Sequence, residues 1–183
     1  MNPFSELLEL VDECLEKKHQ PDSDLVKRHN ADPLNKDYQL KPTDKVERTD
    51  VVHDILAFLA EQMMEMNKVK QEEIKGFLKY LERRIGKDID DLKGKTKIKD
   101  YYGGGFNDLI KVLGNNNIKL KRIDEEQIEK EFTRSVNKLN PLITRIKATD
   151  TLIDRMVYKL YGLTPEEIEI VENFNNREQQ KGT

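Results

Sequence analysis

Residues 50–85 read DVVHDILAFLAEQMMEMNKVKQEEIKGFLKYLERRI, and this stretch decides the fold of the chain. Its apolar residues recur every three or four positions, so at 100° per residue they fall on one face of a helix. Charged residues such as Glu65, Lys68 and Lys75 fall on the opposite face. The spacing therefore predicts one long amphipathic helix. Its apolar stripe consists of Val52, Ile55, Leu56, Leu59, Met63, Met66, Ile74, Phe77 and Leu81.

A second helical pattern begins at Asp124 and runs to Tyr161. These two stripes are the only apolar surfaces large enough to need each other, so we predict an all-α fold in which the two long helices pack together. Pro141 lies inside the second pattern and lacks a backbone N–H, which predicts a kink or a break there. The second stripe consists of Ile128, Phe132, Val136, Leu139, Ile143, Ile146, Ile153, Val157, Leu160 and Tyr161.

Shorter elements complete what we predict to be a single helical domain of residues 1–183. Residues 1–18 form an N-terminal helix that Asn2 caps, and residues 50–172 form the helical core. Residues 86–123, between the two long helices, are broken into several short helices. The polar residues 173–183 are expected to form a frayed tail.

Residues 19–49 differ from the rest because they contain three prolines and few apolar residues. We predict an irregular connector with a short helix near residues 22–29. Further along, Gly162 is placed to end the second long helix. Thr164, Pro165 and Glu167 then have the spacing of a capping box with proline at the first helical position.

The composition excludes several classes of protein. The net charge of −3 argues against a chain that binds nucleic acid electrostatically as a whole, although a local basic patch is compatible with it. The single cysteine, Cys14, excludes an internal disulfide and a cysteine-based zinc site. No apolar run approaches the roughly 20 residues that span a membrane, and the N-terminus lacks the pattern of a signal peptide. We therefore expect a cytoplasmic protein.

Three motifs suggest chemistry, and each has a simpler structural explanation. Residues 101–106, YYGGGF, could hold a phosphate or a cofactor, but no buried strand precedes them, so an inter-helix turn is the better interpretation. The triplets at residues 73–75 and 91–93 match the acidic-x-Lys pattern of nucleases, yet such triplets arise by chance in a chain with 37% charged residues. Residues 140–142, NPL, are best explained as a helix break. We expect no catalytic, cofactor or metal site.

Two polar residues interrupt the apolar stripes. Lys70 lies in the first stripe and Asp150 in the second. Either each residue lies where its stripe reaches solvent, or the two form a buried pair that fixes the register of the helices. A pair would require both side chains to face one interhelical seam.

Basic residues concentrate in two segments between the long helices. If the chain touches DNA, we expect these segments to contact phosphates, which positions a protein without reading the base sequence. The residues are Lys93, Lys95, Lys97, Lys99, Lys119, Lys121 and Arg122.

Parts of the chain resemble the C-terminal region of type II restriction-modification enzymes, which fuse a nuclease, an N6-adenine methyltransferase and a target-recognition domain. Residues 148–172, ATDTLIDRMVYKLYGLTPEEIEIVE, are similar to the end of these enzymes. Residues 2–4 and 7–12, NPF and LLELVD, are similar to the helix after their target-recognition domain. Residues 54–62 and 73–78, DILAFLAEQ and EIKGFL, resemble a longer helical insert in some of them.

This resemblance implies a non-catalytic helical scaffold that packs on and positions the DNA target-recognition domain. Its partners would be the remainder of the enzyme and, indirectly or weakly, DNA. No catalytic residue is carried over, because the methyltransferase and nuclease motifs are absent from the sequence. The alternative is a free-standing helical interaction module that dimerises as a coiled coil.

Overall fold

A computed structural model of the protein describes residues 3–181, and the side chains of all of these except residues 3, 4, 35 and 175–181. The all-α prediction is confirmed, since this part of the chain forms seven α-helices and no strand. None of the described helices is long and apolar enough to cross a membrane. The helices are α1 (Pro3–Glu16), α2 (Ser23–Ala31), α3 (Thr49–Ile85), α4 (Lys95–Lys99), α5 (Phe106–Asn115), α6 (Arg122–Leu160) and α7 (Pro165–Lys181).

The chain divides into two compact units rather than the single domain that the sequence suggested. We call residues 62–148 the middle unit, and residues 1–61 with 149–183 the terminal unit. Helices α3 and α6 run through the boundaries. Because each apolar stripe is continuous along its helix, no pattern of residues indicates where one core ends and the next begins.

The core of the middle unit forms where α3 and α6 bury their stripes. Phe77 and Leu81 of α3 lie in one cluster with Ile128, Phe132 and Leu139 of α6. The predicted packing of the two long helices is therefore confirmed. The short segments between them close the cluster with six further buried side chains: Ile89, Leu92, Ile98, Tyr101, Leu109 and Leu113.

The core of the terminal unit joins three stretches that are distant in the sequence. Its buried residues are Val11 and Cys14 of α1, Val52 of α3, and Leu152 and Met156 of α6. The N-terminal helix predicted from its apolar spacing thus packs on both long helices. The predicted cap, Asn2, lies outside the described residues.

The connector after α1 is ordered by polar contacts. A single antiparallel bridge joins His19 to Val46, with N–H···O distances of 2.8 and 2.9 Å. The Arg48 guanidinium donates to both carboxylate oxygens of Asp50 at 2.9 and 3.0 Å, which holds the pKa of that carboxyl below its usual range. The predicted short helix is confirmed as α2, where Asp22 accepts hydrogen bonds from the first turn.

The predicted signals at the end of α6 are confirmed in detail. Gly162 has a φ of +63°, and the N–H groups of Gly162 and Leu163 donate to the carbonyls of Lys159 and Tyr158. This is the Schellman arrangement. Thr164 and Glu167 then form a reciprocal capping box at the start of α7. Helix α7 continues to Lys181, so the tail expected to fray from residue 173 is helical.

The predicted break at Pro141 is wrong, because α6 is continuous from Arg122 to Leu160. Proline removes one backbone hydrogen bond but leaves the turns on either side intact. Those turns are anchored by tertiary contacts, since Leu139 is fully buried and Ile143 packs against the same core. Packing therefore outweighs the local cost of the proline.

We predict that Leu81→Ala destabilises the protein by about 2–5 kcal/mol, because it leaves a cavity between α3 and α6. Met64→Ala is the matched control on the same helix, since Met64 is 67% exposed whereas Leu81 is 0% exposed. Urea unfolding followed by circular dichroism measures both. Equal effects of the two substitutions would contradict the assignment of Leu81 to the core.

Two glycine substitutions should act in opposite directions. Gly162→Ala forces a side chain into the left-handed region and should cost about 1 kcal/mol. Gly76→Ala, within α3 where an added Cβ meets no atom within 4 Å, should stabilise by about 0.5–1 kcal/mol. Thermal unfolding of both variants checks the signs, and a destabilised Gly76→Ala protein would be inconsistent with the open surface of α3.

Candidate functional site

A cleft of about 580 Å³ opens in the middle unit between α4, the 3₁₀ turn Tyr101–Gly103 and α5. Its lining carries charges of both signs, from Lys97 and Lys111 and from Asp100 and Asp108. Lys111 lies 3.7 Å from the Asp108 carboxylate. The cleft is thus not an electrostatic trap for one sign of charge.

The three glycines of this cleft do not form a phosphate cradle in this conformation. The N–H groups of Gly103 and Gly104 donate to the backbone carbonyls of Asp100 and Tyr101. The N–H of Gly105 donates to the Asp108 carboxylate at 3.2 Å and so caps α5. A phosphate site needs free N–H groups, and these three are already used within the chain. This supports the interpretation of the segment as an inter-helix turn.

Tyr101 forms the inner wall of the cleft and belongs to the core. Its ring lies 4.1 Å from that of Phe77 between centroids and is 3% exposed. Its hydroxyl shares a hydrogen bond with the buried Ser135 hydroxyl on α6. Burial of the phenol raises the pKa of Tyr101 to about 12. This contact ties the glycine turn to the second long helix.

The seven predicted basic residues are all exposed, but they differ in their partners. Asp90 binds both Lys99, at 2.7 Å, and Lys95, at 3.5 Å. Glu126 binds Arg122 at 2.8 Å. The remaining four have no carboxylate partner among the described residues: Lys93, Lys97, Lys119 and Lys121.

Asn116 anchors the start of the first basic segment. Its side chain accepts from the N–H of Lys93 at 2.8 Å and donates to the carbonyl of Lys93 at 2.9 Å. It also donates to the carbonyl of Val112 in the last turn of α5. Gly94 has a φ of +76°, and a Cβ there would lie 3.2 Å from the Val112 side chain, so glycine is needed beside Lys93. The structure therefore fixes Lys93 against the turn that lies three residues before Lys119.

The two units carry net charges of opposite sign. The middle unit contains 20 Lys and Arg against 14 Asp and Glu, a formal charge of +6. The terminal unit contains 12 against 21, a formal charge of −9. The whole-chain value of −3 conceals this division. Summing the charges over windows of the sequence would have revealed this division. No pattern in the sequence indicates the role of Asn116.

The interrupting polar residues of the stripes do not form a buried pair. Asp150 is exposed, which agrees with the first alternative, that its stripe reaches solvent there, and excludes a buried pair. Lys70 is half-buried, and its Nζ lies 5.8 Å from the centroid of the Tyr102 ring. A cation–π contact with a nearby tyrosine satisfies Lys70 without a carboxylate.

The acidic residues of the two nuclease-like triplets differ in exposure, since Glu73 is half-buried and Asp91 is exposed. Glu73 forms ion pairs with Lys138, at 3.2 Å, and Arg134, at 3.8 Å, and so links α3 to α6. Asp91 is exposed in the 3₁₀ turn Ile89–Asp91. Within the described residues, no group of three or more His, Cys, Asp or Glu side chains could hold a metal ion.

The raised pKa of Tyr101 leads to a prediction about alkaline stability. Between pH 10 and 12 the unfolded state loses the phenol proton first, so stability falls as pH rises, by about 1.4 kcal/mol per pH unit from this group. Urea unfolding from pH 9 to 11.5 should therefore show a steeper decline for the wild-type protein than for Tyr101→Phe. Parallel declines would mean that the phenol is not buried in the folded protein.

A comparison with protein families found a match to a described family. A model described as a domain of unknown function, DUF8810, matches residues 49–157. The match includes the whole middle unit and adjoining parts of α3 and α6. Searches among curated proteins and among solved structures found no match. Because the matched residues make up more than half of the 183, the chain belongs to the DUF8810 family.

Proposed function

We propose that this chain is a helical scaffold, non-catalytic by itself, that packs on and positions the DNA target-recognition domain of a type II restriction-modification enzyme. The observation that carries the proposal is the meeting of three of the resembling segments in the terminal unit. Residues 7–12, 54–62 and 148–172 supply most of the side chains of one core. A likeness spread over three distant stretches thus corresponds to one core, while residues 73–78 belong to the core of the middle unit.

An exposed apolar face on α7 offers the docking surface. Ile170 and Phe174 lie one turn apart and are 69% and 65% exposed. Val171 lies beside them and is also exposed. An isolated exposed apolar residue needs no explanation, but a cluster on one helix is typical of a surface that another protein covers. We call Ile170, Val171 and Phe174 the α7 face.

Acidic residues lie on the same helix as the α7 face and favour a partner with a basic surface. Glu166, Glu167, Glu169 and Glu172 all lie on α7. On α6, burial raises the pKa of Asp154, and the negative charges of Asp150 and Glu172 raise it further. The partner surface should therefore have an apolar centre and a basic rim, which suits a domain that also binds DNA.

Dimerisation through the long helices is less well supported. A coiled-coil dimer needs an apolar stripe that is free to face a second chain. The stripes of α3 and α6 are instead largely buried within each unit, as the exposures of 1% or less for Val52, Phe77, Ile128 and Leu139 illustrate. Light scattering should accordingly give the mass of a monomer. A dimer that survives dilution would favour the alternative.

The test uses the coding sequence that lies upstream of residue 1. The proposal requires a target-recognition domain there, and co-expression of that domain with this chain should give a stable complex. Ile170→Asp combined with Phe174→Asp should weaken the complex at least tenfold, because two carboxylates would be desolvated at the contact. Met64→Asp combined with Ile123→Asp is the control, since these two residues are 67% and 63% exposed in the middle unit.

Circular dichroism first establishes that both double variants are folded. The proposal is wrong if the upstream sequence encodes no such domain, or if no complex forms. Equal weakening by the two double variants would exclude the α7 face as the docking surface.

A further inference from the structure

The net positive charge of the middle unit lies between the last turn of α3 and the first residue of α6. Residues 83–122 contain 11 Lys and Arg against 5 Asp and Glu, a formal charge of +6. Three of these basic residues, Arg83, Arg84 and Arg122, belong to the ends of the two long helices. The +6 equals the charge of the whole middle unit, so the remaining parts of α3 and α6 in that unit are neutral overall. The excess of basic over acidic residues is thus confined to this stretch.

Four exposed lysines of this region have no ion-pair partner among the described residues. Lys119 and Lys121 alternate with Ile118 and Leu120, which are half-buried and pack on the core. The alternation directs both lysines to solvent. Lys93 is joined by two hydrogen bonds to Asn116, which lies three residues before Lys119. We call Lys93, Lys97, Lys119 and Lys121 the basic surface.

The groups that the basic surface presents determine which kind of anionic ligand can bind to it. A small phosphate ligand needs a cradle of free N–H groups, and those of the glycine turn are used. Single-stranded nucleic acid needs exposed aromatic rings for stacking. In the middle unit Tyr80, Tyr102 and Phe106 are half-buried, and the exposed large apolar residues there are Met64, Val69 and Ile123. Separated lysines on exposed segments suit the regularly spaced phosphates of a duplex.

We infer that the basic surface binds the phosphate backbone of double-stranded DNA without reading its sequence. The lysines supply point charges rather than the bidentate geometry that distinguishes base pairs, and the neighbouring Arg122 is paired with Glu126 at 2.8 Å. The acidic terminal unit does not contribute. This inference goes beyond the scaffold role and does not depend on it, since the chain alone should bind.

The test is a fluorescence anisotropy titration of the full chain with labelled 20-base-pair duplexes of two unrelated sequences. Four phosphate contacts predict a slope of about −3.6 for log K against log salt, which is about a 100-fold loss of affinity between 50 and 200 mM salt. The two duplexes should bind with equal affinity. Binding is expected in the micromolar range at the lower salt concentration.

A matched pair of quadruple variants locates the contact. Substitution of Lys93, Lys97, Lys119 and Lys121 by alanine should reduce affinity at 50 mM salt at least tenfold and flatten the salt slope. Substitution of the exposed Lys27, Lys36, Lys41 and Lys45 by alanine changes the net charge equally but lies in the terminal unit, so it should reduce affinity less than threefold.

Three results would overturn the inference. The first is an absence of salt-dependent binding to duplex DNA. The second is an equal loss of affinity in both quadruple variants. The third is tighter binding to single-stranded DNA, to duplex RNA or to anionic lipid vesicles than to duplex DNA. Failure here leaves the scaffold proposal intact, because that proposal concerns the α7 face and is tested by complex formation.

Discussion

The burial of α3 against α6 in the middle unit is the interaction on which the rest of the molecule depends. Exposure of Phe77 and Leu81 to water would be unfavourable, and the apolar stripe of α6 buries both side chains. An amphipathic helix gains its stability mainly from such packing rather than from its own propensity. The same contact explains why α6 continues through Pro141.

The short segments between the long helices are ordered by this contact. Ile89, Ile98 and Leu113 each insert into the core that α3 and α6 form. The hydrogen bond between Tyr101 and Ser135 adds a polar contact that leaves neither buried hydroxyl unsatisfied. Because the apolar residues of these segments face inward, their lysines face solvent. The basic surface is therefore a consequence of the core and not an independent feature.

Periodicity and capping chemistry could be read from the sequence because they are local. The stripes of α3 and α6, the Gly162 termination and the Thr164 capping box all depend on residues within a few positions of one another. The outcome at Pro141 could not be predicted, since it depends on tertiary anchoring. The exposure of Asp150 and the Tyr102 partner of Lys70 likewise depend on how distant segments fold.

In the candidate site, too, the features that depend on contacts between distant segments could not be predicted. The two basic runs were evident as residue types, but the attachment of Lys93 to Asn116 depends on the fold. The ion pairs of Lys95 and Lys99 with Asp90 were likewise visible only in the structure. The division of charge between the two units was present in the sequence, and the whole-chain sum hid it. Net charge is informative only when it is summed over folded units.

Hydrogen–deuterium exchange of the full chain, with and without duplex DNA, tests the central claim most directly. The claim is that a core built from α3 and α6 presents the basic segments to a phosphate backbone while the acidic unit remains free. Amides of residues 93–99 and 116–122 should exchange more slowly when DNA is present, and those of α1, α2 and α7 should be unchanged. Protection confined to the terminal unit, or no protection at saturating DNA, would contradict the account.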